Sequence, residues 1–200
     1  MRVLIIPEDR TRDQYIAKPV VERMFESLER AATVEVLADP HLRGIDDALD
    51  QGVVRDVIED NRMVQMFILL VDRDCDRENA VARAAERERE HSSCMLTCLA
   101  VEEIEVWLLA VQDAFVVPWS AVRGHCDPKE AYALPFLREQ GWSDQVGDGY
   151  KRAMRELSGK WATLASRCPE VADLTRRVEQ WLAAHPAQRS PMPPPRGALE

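Results

Sequence analysis

No apolar run in this sequence reaches the ~18 residues that a membrane-spanning helix needs, so an integral helical membrane protein is not expected. A secretory leader is not expected either: Met1-Arg2-Val3-Leu4-Ile5-Ile6-Pro7-Glu8 is a short apolar run that meets an acid at once. Paired CxxC spacing is missing. The five cysteines (Cys75, Cys94, Cys98, Cys126 and Cys168) are odd in number, which points to reduced thiols in a cytoplasm rather than a disulfide framework. His125-Cys126-Asp127 has no partner pair at zinc-ligand spacing, so a structural zinc is not expected. Positive charge is short as well. Against 35 Asp and Glu stand 26 Lys and Arg, a net charge of −9, which argues against broad nonspecific binding of nucleic acid on a basic face. It leaves room for a nuclease, because part of the negative charge would then be a metal-binding cluster. Internal repeats are absent too.

What is present is a regular alternation. With 200 residues, 46% apolar and 30% charged, the chain can bury one substantial core. An apolar strand over 2–6 ends at Pro7-Glu8. Thr11 to Gln14 has capping-box spacing and opens a helix. Its buried stripe is Ile16, Val20, Val21, Met24, Phe25 and Leu28, with Pro19 as a potential kink. A second strand spans 33–37. Ile45, Leu49, Val53, Val54, Val57 and Ile58 mark a second amphipathic helix, weakened by Gly52. The run Met66-Phe67-Ile68-Leu69-Leu70-Val71 reads as a parallel strand buried on both faces. Residues 77–91, dense in Arg, Glu and Ala, read as a solvated helix with i,i+4 ion pairs. A fourth strand over 95–100 leads into an apolar helix that includes Trp107, most simply a core residue.

Four strands alternating with helices predict an α/β fold: a three-layer αβα parallel sheet, Rossmann-like, over residues 1–117. Residues 118–185 carry helical signals only, including Asp127-Pro128 as a helix start, and read as a helical extension. The Pro-rich tail, 186–200, has no core-forming pattern and is expected to be flexible.

The segment Asp72-Arg73-Asp74-Cys75-Asp76 directly follows the most apolar strand. Open α/β sheets put their ligands at such a strand end, and crowded carboxylates there favour a divalent cation. The first strand ends at Glu8, and the fourth runs into Glu102, Glu103 and Glu105. Parallel strands share one C-terminal edge, so these acids can converge. Each has a plainer reading: Glu8 and Glu102 to Glu105 as acids favoured in a first helical turn, Asp76 as a loop or cap residue.

A strand ending in Glu, here Leu4-Ile5-Ile6-Pro7-Glu8, followed later by a strand ending in DxD, here Asp72-Arg73-Asp74, resembles the Toprim domain of topoisomerases, DnaG-type primases and OLD-type nucleases. Glu103-Ile104-Glu105-Val106-Trp107-Leu108-Leu109-Ala110 is similar to the ExExWLLA stretch of small bacterial Toprim-like proteins, some of which accompany phage-defence genes. Asp127-Pro128-Lys129, Tyr150-Lys151 and Arg167-Cys168-Pro169 look like that group's C-terminal region. Where Toprim domains have Gly after the first-strand Glu, this chain has Asp9. The resemblance implies Glu8 as general acid/base or metal ligand, and Asp72 and Asp74 as ligands of Mg²⁺, with Mn²⁺ as the alternative ion. Glu103 and Glu105 would be a third acidic element. Arg10, Arg73, Lys129 and Lys151 are implied contacts for substrate phosphate; the plainer readings are neutralisation of the acids for Arg10 and Arg73 and a solvated side chain for Lys129 and Lys151. The expected activity is Mg²⁺-dependent cleavage of phosphodiesters in nucleic acid. The alternatives are a non-catalytic sensor or interaction subunit of a bacterial defence or toxin-antitoxin system, with a protein partner, and, less favoured for so short a chain, a nucleotide-sugar transferase.

Overall fold

The computed structural model describes residues 1–73, 75, 77–142 and 147–186. Asp74, Asp76 and nearly all of the Pro-rich tail, for which expectations were stated above, lie outside the described residues. Four strands, β1 (Arg2–Pro7), β2 (Thr33–Val36), β3 (Met66–Asp72) and β4 (Met95–Ala100), form one parallel sheet in the order β2-β1-β3-β4. The chain leaves β1 toward one side for β2 and toward the other for β3. The switch point therefore lies between the C-terminal ends of β1 and β3, where a crevice opens in sheets of this kind.

Both faces of the sheet are covered, and β3 shows it best. Met66, Ile68 and Leu70 point into one apolar cluster, while Phe67, Leu69 and Val71 point into the other. That two-residue period is why an unbroken apolar run is needed here. Each fully buried aliphatic side chain contributes roughly 2 kcal/mol. One face is layered by α2 (Ile45–Ala48), α3 (Gln51–Asp60) and α4 (Arg77–Glu90). The other carries α1 (Arg10–Ser27), α5 (Glu105–Ala110), α6 (Trp119–Arg123), a π-helical turn (Lys129–Ala133) running into α7 (Leu134–Glu139), α8 (Asp148–Ala153), a 3₁₀ turn (Met154–Glu156), α9 (Leu157–Arg167) and α10 (Pro169–Ala184). The helices beyond residue 118 share their buried cluster with α1, α5 and the sheet, so they complete this layer. No described helix is long and apolar enough to cross a membrane.

Three local expectations are corrected. Helix α1 is capped by Asp9, not Thr11: Asp9 Oδ1 accepts the Thr11 N–H at 2.8 Å, and Asp13 Oδ2 accepts the Asp9 N–H at 3.0 Å. The pattern over 45–58 is two helices, because Asp50 caps a new start by accepting the Val53 N–H at 2.9 Å. Helix α4 buries Ala80, Ala84 and the stem of Arg87, and among the described residues its ion pairs are not of the i,i+4 kind. Arg83 instead reaches Asp46, and Glu88 pairs with Arg177 of α10.

Candidate active site

The site begins with two strand ends. Glu8 follows β1, and its Oε2 accepts the backbone N–H of Asp72, the last residue of β3, at 3.1 Å. Both acids thus stand at the switch point. Asp72 Oδ1 in turn accepts the Ile104 N–H at 2.9 Å, which pins the loop after β4 and the start of α5 to the end of β3. This loop is strained. Glu102 lies in it at φ 59°, a conformation that costs a non-glycine residue about 1–3 kcal/mol, and is fully buried with its Oε1 2.6 Å from Arg73.

Helix α5 carries Glu105 into the interior. Its carboxylate has no exposed surface; Oε1 accepts the Tyr150 hydroxyl at 2.7 Å and meets Lys129 Nζ at 3.1 Å. Its Oε2 is buried without a hydrogen-bond partner among the described residues. Glu103 is half-buried and accepts the Lys129 N–H at 2.7 Å. Burial first, then Glu105 and Glu130, push its carboxyl up to about 7, against the pull of Lys129.

Asp13 and Tyr150 were not anticipated from sequence. Asp13 stands one turn into α1, buried, and burial foremost, with Glu105, Asp9 and Glu8 beside it, pushes its carboxyl up to about 8. Asp72 is raised well above the ordinary range by burial, then by Asp13, Glu105 and Glu8. Glu8, Asp13, Asp72 and Glu105 therefore form one mutually repelling group with little water to screen it. The Tyr150 hydroxyl is raised by burial and by Glu105 and remains a proton donor. A capping pattern at α1 could have pointed to Asp13. Tyr150 lies in a stretch that resembles the Toprim-like group, but nothing local marks it as a site residue.

The implied phosphate contacts are placed unequally. Arg73 is bound to Glu102, so the structure gives it the neutralising role, and its N–H extends the sheet by bonding Ala100 O at 3.0 Å. Lys129 is largely buried, which lowers its pKa, but the charge and hydrogen bond of Glu105 together with the charge of Glu103 leave it raised. Lys151 lies over the Tyr15 ring, 4.7 Å from its centroid. Arg10 lines a cleft of about 500 Å³ with Gln14, Lys18, Glu35 and Asp39, and none of the site acids borders that cleft. Trp107 is core, and its Nε1 donates to Glu170 at 2.9 Å.

No protein family, no characterised protein and no solved structure is found to be similar to this chain.

The donor set suits a hard divalent ion: oxygen ligands only, raised carboxyl pKa values that a cation would reverse, and a buried Glu105 oxygen with no partner among the described residues. As they stand, no three acid, His or Cys side chains among the described residues are arranged to hold an ion. One oxygen each of Glu8 and Asp72 is turned to a backbone N–H group instead. The expectation of reduced thiols is also overturned at one pair. Cys75 and Cys126 form a disulfide, with Cα atoms 5.6 Å apart across 51 residues of sequence, while Cys94, Cys98 and Cys168 are free. Spacing alone could not reveal it, because only the fold brings the loop after β3 to the segment before the π-turn.

Proposed function

We propose that this chain is a Mg²⁺-dependent phosphodiester-cleaving enzyme of Toprim-like type, acting on nucleic acid in the cytoplasm. The observation that carries the reading is the convergence of Glu8 and Asp72 at the switch point, with buried Asp13 and Glu105 in electrostatic contact. Asp72 and Glu105 would hold the ion, with Glu103 and Asp13 near enough to respond to it. A bound Mg²⁺ would neutralise charge on the phosphoryl group and acidify a water molecule. Glu8, freed from the Asp72 amide, accepts the proton of the attacking water. Lys129 offsets the charge of Glu105 through their ion pair, and Tyr150 fixes its orientation. Lys151, which lies over the Tyr15 ring, contacts a substrate phosphate.

A second reading, a non-catalytic sensor or interaction subunit with a protein partner, draws support from one observation. Arg73 and Lys129 are already committed to Glu102 and Glu105, which leaves few cations for a substrate.

Cleavage of single- and double-stranded DNA and RNA with Mg²⁺ or Mn²⁺ at low salt tests the choice. Glu8→Gln keeps the size and an acceptor oxygen but cannot take up a proton. It is expected to lower the rate by 10²-fold or more while Mg²⁺ still raises the melting temperature. Metal binding without cleavage of any substrate would favour the sensor; cleavage unchanged in Glu8→Gln would keep the enzyme and discard Glu8 as the base.

A further inference from the structure

Asp72 and Lys129 reach the site from different parts of the chain, and a covalent bond joins those parts. Cys75 lies three residues beyond Asp72, Cys126 three residues before Lys129, and a disulfide connects them. Both cysteines are exposed to solvent, whereas Cys98 and Cys168 are buried. A small thiol can therefore reach this bond. On the β3 side, Asp72 holds the Ile104 N–H and the Arg73 N–H holds Ala100 O. On the other side, the Lys129 N–H holds Glu103, and its Nζ meets Glu105. The bond thus ties the two walls of the acidic site together from outside.

We propose that Cys75–Cys126 is a redox-operated clamp on this site. The disulfide holds the end of β3 against the π-turn at Lys129, and reduction removes this covalent tie and leaves the walls joined through the hydrogen bonds to residues 103–105. In a reducing compartment, disulfides that do form are typically transient or redox-sensing, which fits an exposed pair beside a site better than a structural staple. Opening takes two electrons from a dithiol. One dithiol sulfur attacks a cysteine sulfur and the S–S bond breaks. The dithiol then closes its own disulfide, and its two protons end on Cys75 and Cys126. Closing runs in reverse with oxidised glutathione as the acceptor. The role of the clamp in metal affinity rests on the reading of the acids as a cation site; the clamp itself does not.

The test compares the full chain oxidised, reduced with dithiothreitol, and as Cys75→Ser/Cys126→Ser. Alkylation and mass spectrometry are expected to find Cys75 and Cys126 protected before reduction and modified after it. Hydrogen exchange is expected to show faster exchange of the Lys129 and Ile104 amides on reduction. Calorimetry with Mg²⁺ is expected to show about tenfold weaker binding in the reduced form, the cost of reordering roughly one backbone residue. The double serine variant should match the reduced protein with or without dithiothreitol. Both cysteines alkylating in the oxidised protein, or exchange unchanged on reduction, would overturn the clamp. So would a dithiothreitol effect that persists in the double variant. Exchange that responds while no form binds Mg²⁺ would keep the clamp and remove the cation site. Equal Mg²⁺ binding with unchanged exchange would do the opposite.

Discussion

Asp13 is the residue whose chemistry most distinguishes a waiting cation site from a solvated acidic patch. Its carboxyl is held protonated to about pH 8, and Asp72 and Glu103 are shifted in the same direction, chiefly by burial. Between about pH 4 and pH 8 the folded chain keeps a proton on Asp13 that the unfolded chain has released, so stability falls as pH rises through that window. Without divalent metal, the melting temperature is expected to drop from pH 5 to pH 8, and Asp13→Asn or Asp72→Asn to flatten the drop. Both substitutions keep an acceptor oxygen for the Asp9 or Ile104 amide. Mg²⁺ should raise the melting temperature of the parent more at pH 8 than at pH 5, and should not raise that of Asp72→Asn. Melts that are flat with pH would mean the acids are hydrated. Gly147 is a second sensitive position. It sits at φ 92°, and a Cβ there would lie 2.3 Å from Tyr15 Cε2. Gly147→Ala is expected to cost about 2–3 kcal/mol in urea denaturation and to displace Tyr150 one turn later. Glu8 and Asp72 were legible in the sequence because each follows an apolar strand, and parallel strands share an edge. Asp13 and Tyr150 were not. They lie on helices, where burial depends on how the helix is docked.

At the scale of elements, the alternation of strands and helices up to β4 was readable because each strand is an apolar run bounded by charge or proline. The breaks within helices were less so. Asp50 starts α3 through its own side chain, although Gly52 is the more conspicuous residue. The π-turn at Lys129–Ala133 has no sequence signal, yet it sets Lys129 against Glu105; such turns recur at functional sites. The helices after residue 118 are joined to the site's layer by Glu170 at the start of α10. Its carboxylate accepts Trp107 Nε1 from α5 and both terminal nitrogens of Arg123 from α6, each of the latter at 2.8 Å. Both Glu170 and Arg123 are largely buried. Glu170→Ala would leave a desolvated guanidinium and an indole N–H without partners, so a loss of about 3 kcal/mol is expected. Glu170→Gln should recover part of it. Equal stability of all three proteins in denaturant would show that α10 is held by its apolar face alone, through Val171, Leu174, Val178 and Leu182.

The whole molecule carries a net charge of −9, and its sheet edge at β4 is closed by charge. Glu88 accepts both the N–H and the hydroxyl of Thr97 at 2.7 Å, Arg177 donates to Thr97 O at 2.9 Å, and the two side chains pair with each other. That arrangement discourages strand addition from another chain. At the acidic site, where the proposed nucleic-acid substrate would bind, Arg73 and Lys129 are already paired and Lys151 lies over the Tyr15 ring. Each phosphate neutralised releases counterions, so the slope of log affinity against log salt counts the cations that truly touch the backbone. With few available, binding of a duplex in Mg²⁺ is expected to be weak, with a slope of about −2 rather than the −6 or steeper of proteins that lay a basic face on DNA. Fluorescence anisotropy with labelled DNA between low and moderate salt measures it. Lys151→Ala should make the slope shallower by about one. A steep slope would place the nucleic acid on a surface other than this site. A shallow slope whose affinity rises steeply when a second protein is added would identify that partner as the source of the missing positive charge.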